Sequence, residues 1–153
     1  MLNQNGNASE RTLDALLREV PDRMLRVLAD GGFERALEIL RNAENPDPAW
    51  VRDRARNLRL KSRLAAAELR EQTRCLEDAL AAWHADGGSD PVKESQAQLT
   101  LRQMAAKAGE MDRMNEQMTA LIRQTDYAEA LAETTDLRQA ILRFRDYGKE
   151  AAE

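Results

Sequence analysis

An unbroken alternation of four- and three-residue steps joins Val51, Ala55, Leu58, Ser62, Ala65, Leu69, Gln72, Leu76, Ala79 and Trp83. Small and apolar side chains at that spacing share one stripe of an α-helix, and so long a stripe has to be covered by another helix. After a turn-forming stretch the pattern resumes at Ala97, Leu101, Met104, Ala108, Met111, Asn115, Met118, Ile122 and Thr125. The two seams predict an antiparallel coiled-coil hairpin over residues 48–126, with its turn at 85–90.

Folding the chain about Gly88 sets Val51 against Thr125, Leu58 against Met118, Ala65 against Met111, Gln72 against Met104 and Ala79 against Ala97. Ala55 then meets Ile122, Leu69 meets Ala108 and Leu76 meets Leu101, so large residues often face small ones and the helices can approach closely. Ser62 falls opposite Asn115, and a polar pair in one buried layer is expected to fix register.

Asp47-Pro48 and Asp90-Pro91 each read as an N-cap aspartate before a first-turn proline, which starts both arms where their seams begin. Gly87 and Gly88 are suited to closing the first arm. Beyond Thr125 the seam stops. Thr134-Thr135-Asp136 is expected to cap a separate C-terminal amphipathic helix carrying Leu137, Ile141, Leu142, Phe144 and Tyr147, within a 127–153 segment whose last residues fray.

The remaining residues divide into a disordered stretch, 1–8, and a short-helix unit, 9–47. Leu13, Leu16, Leu17 and Val20 predict a helix ended by Pro21. Two more short helices follow, one bearing Met24, Leu25, Val27 and Leu28, the other Ala36, Leu37, Ile39 and Leu40, joined by Gly31-Gly32-Phe33 and closed by Pro46-Asp47-Pro48. Residues 22–48 thereby resemble a single tetratricopeptide repeat, in the glycine-aromatic turn, the alanine of the second helix and the final proline. Such repeats need about three copies to bury a shared core, and the pattern occurs once, so the expectation is an ordinary helical hairpin packed against the rod. Leu60, Leu64 and Ala67 on the first arm, with Met114 and Leu121 on the second, offer the apolar surface for it.

Aromatic residues make up 4% of the chain and charged residues 33%, a composition of long helices rather than sheets. No apolar run approaches the ~20 residues of a membrane span, and the start lacks a signal-peptide pattern. The expected protein is therefore all-α, cytoplasmic and without membrane contact.

Residues 51–63 hold six basic side chains against the single acid Asp53, in a chain of net charge −4. Arg52, Arg56, Arg59 and Arg63 share a face that could track phosphates. No aromatic residue interleaves with them, and in the hairpin register they run beside Glu110, Asp112, Glu116, Asp126, Glu129 and Glu133. Pairing inside the hairpin is thus the favoured reading and nucleic-acid binding the alternative. Met104, Met111, Met114 and Met118 form a thioether stripe; three are seam residues, which leaves Met114 as the contact open to a partner.

Catalytic chemistry finds no foothold in the sequence. His84, the one histidine, has no Glu-x-x-His spacing, Cys75 stands nine positions from it, and no glycine cluster precedes a strand. We therefore expect no enzyme, cofactor, metal or small-molecule substrate. The expected activity is protein binding by an adaptor or chaperone-like module, through Leu60, Leu64, Met114, Leu121, Leu137, Ile141, Phe144 and Tyr147, the partner being another protein or a second copy. In shape and size the chain resembles small helical chaperones of bacterial secretion and flagellar export, a likeness carried by no motif. A small phage-type inhibitor of a larger complex is a further alternative.

Overall fold

The computed structural model describes the backbone of residues 4–152 and the side chains of residues 8–145. Four helices follow one another: α1 (Gln4–Gly31), α2 (Phe33–Asn42), α3 (Pro48–Ala85) and α4 (Pro91–Ala152). All ten residues of the first seam are buried on α3. On α4, Ala97, Met104, Ala108, Met111, Met118, Ile122 and Thr125 are buried and Leu101 and Asn115 half-buried. The 4-3 pattern therefore produces the expected antiparallel hairpin.

Its ends form for local reasons. Asp47 Oδ1 accepts from Ala49 N–H at 3.3 Å, and Asp90 Oδ1 from Val92 N–H at 3.0 Å, so each aspartate satisfies a first-turn amide. At the tip, Gly88 N–H bonds Trp83 C=O and Gly87 N–H bonds His84 C=O, with Gly87 at φ 85. That crossed pair requires a left-handed residue, which glycine supplies without steric cost.

Arg52 on α3 bonds Asp126 and Glu129, and Arg70 bonds Asp112. Opposite charges beside the seam support the antiparallel orientation. The layer expected to pair Ser62 with Asn115 is built differently. Ser62 donates to Arg59 C=O of its own helix at 2.9 Å, while Asn115 Oδ1 accepts from Arg63 Nε at 3.0 Å. A serine hydroxyl reaches the preceding turn without help from another helix, and the longer arginine takes the amide.

α1 is the third member of the bundle. Leu13, Leu17, Val20 and Met24 form its own 4-3-4 stripe and are all buried, against α3 chiefly and α4 in part. Its direction follows from its polar contacts: Glu10 and Asp14 meet Lys93 near the hairpin tip, and Arg23 meets Gln72. α1 thus runs antiparallel to α3. Gly32, at φ 57, breaks the helix for one residue, and α2 continues toward the open end, where Leu40 lies by Val51 and Leu121.

The expectations for the N-terminal unit need correction here. Residues 4–8, expected to be disordered, are helical, and Pro21 stands inside α1 instead of ending it. An internal proline costs about 3 kcal/mol, but each of four apolar side chains buried on either side of it contributes about 1.5–3 kcal/mol. Long-range burial outweighs the local break. Nor do residues 22–48 fold back as the expected hairpin, since α2 packs on α3 rather than along α1.

The C-terminal segment differs as well. α4 continues through Thr134-Thr135-Asp136, whose threonine hydroxyls donate to Ala130 C=O and Leu131 C=O in the same helix instead of capping a new one. With no proline or glycine there, nothing forces the chain out of the helix, and residues 149–152, expected to fray, are helical too. At 62 residues α4 is roughly 93 Å long, far longer than α3.

At the tip, His84 Nε2 lies 2.6 Å from a carboxylate oxygen of Glu94. The imidazole, then a bond from Gln98, holds the Glu94 carboxyl below its ordinary 4.5. A lowered carboxyl adds stability that is complete above its ordinary value and is lost as pH falls through its folded one. Glu94→Gln should therefore melt below the parent at neutral pH and lose less stability with acid, the gap between the two narrowing as the pH falls below about 4.5. Thermal melts at stepped pH check this; equal acid sensitivity would count against the contact.

Candidate interaction surface

Pro48, where α3 starts, lies beside Leu121, Thr125 and Ala128 of α4. Beyond Glu129, α4 has no neighbour among the described residues: every side chain from 130 to 145 is exposed. Residues 130–152 of α4 thus form an arm, roughly 35 Å long, that projects from the open end of the bundle. Arg52 secures its root through Asp126 and Glu129, which raise the guanidinium above its ordinary value, Glu129 first.

The arm and its root keep their apolar residues in water. Tyr127 is 71% exposed, Leu137 63%, Ile141 57% and Phe144 82%, with Leu131 and Leu142 also exposed. Continuing the bundle seam along α4 leads instead to Glu129, Ala132, Asp136, Gln139 and Arg143. The apolar stripe is offset from that line by two positions, about 160° around the helix. It faces away from anything α3 could cover. Tyr147, expected to belong to this surface, has its side chain outside the described residues.

The other predicted contact residues separate into two groups. Met114 is 9% exposed, in a groove of about 530 Å³ lined also by Leu28, Phe33, Leu37 and Met111. It is therefore core rather than open contact, because the junction of α1 and α2 seats over it. Leu121 is half-buried beside Leu40. Leu60 and Leu64 stay exposed on the outer face of α3, since α1 and α2 cover α3 along another side.

The basic stretch is divided too. Arg52 is paired as above and Arg63 bonds Asn115, whereas Arg56 and Arg59 have no ion pair among the described residues. The sequence reading missed one aromatic. The Arg54 guanidinium stacks on Trp50 at 4.4 Å, and both line a shallow groove with Asn57 and Lys61. The i, i+4 spacing of Trp50 and Arg54 was the available signal.

Cys75 is half-buried, its thiol 3.8 Å from Glu71. Among the described residues no group of His, Cys, Asp and Glu is placed to hold a metal ion, and no helix is long and apolar enough to cross a membrane. No protein-family model, curated protein or solved structure matches the chain.

Proposed function

We propose that the chain is a non-enzymatic interaction module, adaptor or chaperone-like in kind: a three-helix bundle that presents the α4 arm to a protein partner. The exposed stripe on the arm carries the reading. A chain that buries its other long seams leaves Leu137, Ile141 and Phe144 in water, and contiguous exposed apolar surface of this sort marks an interface. An amphipathic helix laid against a protein is one of the recurring modes of recognition.

Photo-crosslinking residues placed at positions 137 and 141, with position 64 as the control, test the assignment. Protein adducts from the arm, lost when Phe144→Asp is added, are the expected result. Arm positions that yield no more adduct than position 64 would overturn it.

A second reading, nucleic-acid binding, is favoured by the stacked Trp50 and Arg54 beside Arg56 and Arg59, which have no ion pair among the described residues. Aromatic and guanidinium planes together suit single-stranded bases. It predicts salt-labile retention on single-stranded DNA that Arg56→Glu with Arg59→Glu abolishes while helicity stays intact.

A further inference from the structure

The arm carries a short heptad seam of its own. Tyr127, Ala130, Thr134, Leu137, Ile141 and Phe144 are spaced 3-4-3-4-3, all exposed and on one face. Two residues at its flanks bear on what covers it. Glu133 lies immediately before Thr134 and Arg138 immediately after Leu137, both exposed and neither in an ion pair among the described residues. With the seam residues at the core positions of a coiled coil, Glu133 takes the position leading into the first core residue and Arg138 the position following the second, five residues later.

We propose that the arm pairs with the arm of a second copy, parallel and in register. The inference rests on the interaction reading above and names its partner. In a parallel two-stranded coil the leading flank of one helix faces the trailing flank of the other five residues further on. Glu133 therefore meets Arg138 of the second copy, and the two-fold axis repeats the contact. Reversing one helix removes the contact: with the seams overlapped, Glu133 faces Ala140 of the other arm and Arg138 faces the flank of Leu131 and Arg138, so the opposite charges no longer meet. The arm's own charges thus complement a second copy in parallel register and not a reversed one.

The same face also limits the contact. Toward the bundle it continues through Arg123, Glu116 and Arg113, each of which would meet its own copy in a parallel pair and be repelled. The coil is confined to the arm, and the two bundles splay apart below Tyr127. A seam this short gives a dimer that assembles with concentration.

Light-scattering mass of the full chain across a concentration series tests the pairing. The expected mass rises from 17.3 kDa toward twice that value, and the chain carrying Leu137→Asp and Ile141→Asp stays at the single-chain mass with unchanged bundle melting. Glu133→Arg alone and Arg138→Glu alone should each weaken the dimer at least tenfold, while their equimolar mixture restores it, because only the mixed pair sets opposite charges together at both flanks.

A chain that remains monomeric at every concentration overturns the self-pairing. If its arm nevertheless crosslinks to a different protein, the interaction reading survives and this inference alone fails. A dimer indifferent to the two aspartates, or one that mixing fails to restore, overturns the parallel arm coil.

Discussion

Leu76→Ala is expected to lower the unfolding free energy by about 3 kcal/mol. Leu76 is fully buried in the α3 seam, within the core that α1, α3 and α4 share. Removing most of its side chain forfeits the transfer free energy and leaves a cavity that helices locked in register cannot close by sliding. Native domains keep only about 5–15 kcal/mol in reserve, so this one change removes a substantial part. At a chain length near 150 residues the loss corresponds to a fall of about 10 °C in Tm. Leu64→Ala, on the exposed outer face of the same helix, should shift stability by no more than about 0.5 kcal/mol. Chemical denaturation of both variants, followed by helical circular dichroism, reads the contrast. Equal effects would mean that the seam is not the face buried against α4.

Pro21→Ala should act in the opposite direction, stabilising the chain by about 2 kcal/mol. Inside α1 the proline removes one amide donor and crowds the carbonyl of Leu17 four residues earlier, together worth about 3 kcal/mol. Alanine restores the hydrogen bond and is the best helix former. Against that gain, the unfolded chain recovers freedom that the ring had restricted, about 1 kcal/mol. The net sign is positive provided that α1 needs no bend at Pro21 to keep Leu13, Leu17, Val20 and Met24 on the hairpin. A raised denaturation midpoint with an unchanged slope is the expected observation. A loss of stability would show that the proline's bend fits α1 to the surface beneath it.

The same residues show which features of the fold could be read from sequence. The hairpin was legible because one periodicity, extended over two long segments, admits few alternatives, and because Asp-Pro starts and a glycine close are local chemistry. Pro21 misled for the converse reason: a local helix-breaking rule met burial contributed by helices far along the chain. Thr134-Thr135-Asp136 has the composition of a cap, yet a cap forms only where the chain leaves the helix, and the hydroxyls can be satisfied within it. Met114 was misplaced because the unit that covers it comes from the other end of the sequence, and only folding shows where α1 gives way to α2.

The candidate surface was legible in part. Leu137, Ile141 and Phe144 were identified by amphipathic spacing and are exposed. That they belong to a continuous arm, rather than to a helix docked on the bundle, depends on where α3 begins relative to α4. Trp50 was overlooked because it precedes the basic stretch and stacks back on it from the turn before.

Hydrogen exchange on the full chain tests the central claim most directly, namely that the distal third of α4 is an uncovered arm awaiting a partner. At a dilution where the mass is that of one chain, amides in residues 97–125 should exchange orders of magnitude more slowly than those in 130–145, because a lone helix opens far more readily than one packed in a bundle. Raising the concentration, or adding a protein that crosslinks to the arm, should slow residues 130–145 selectively. Equal protection of both stretches in the single chain would contradict the account, since the arm would then be packed against its own bundle and have no face to offer.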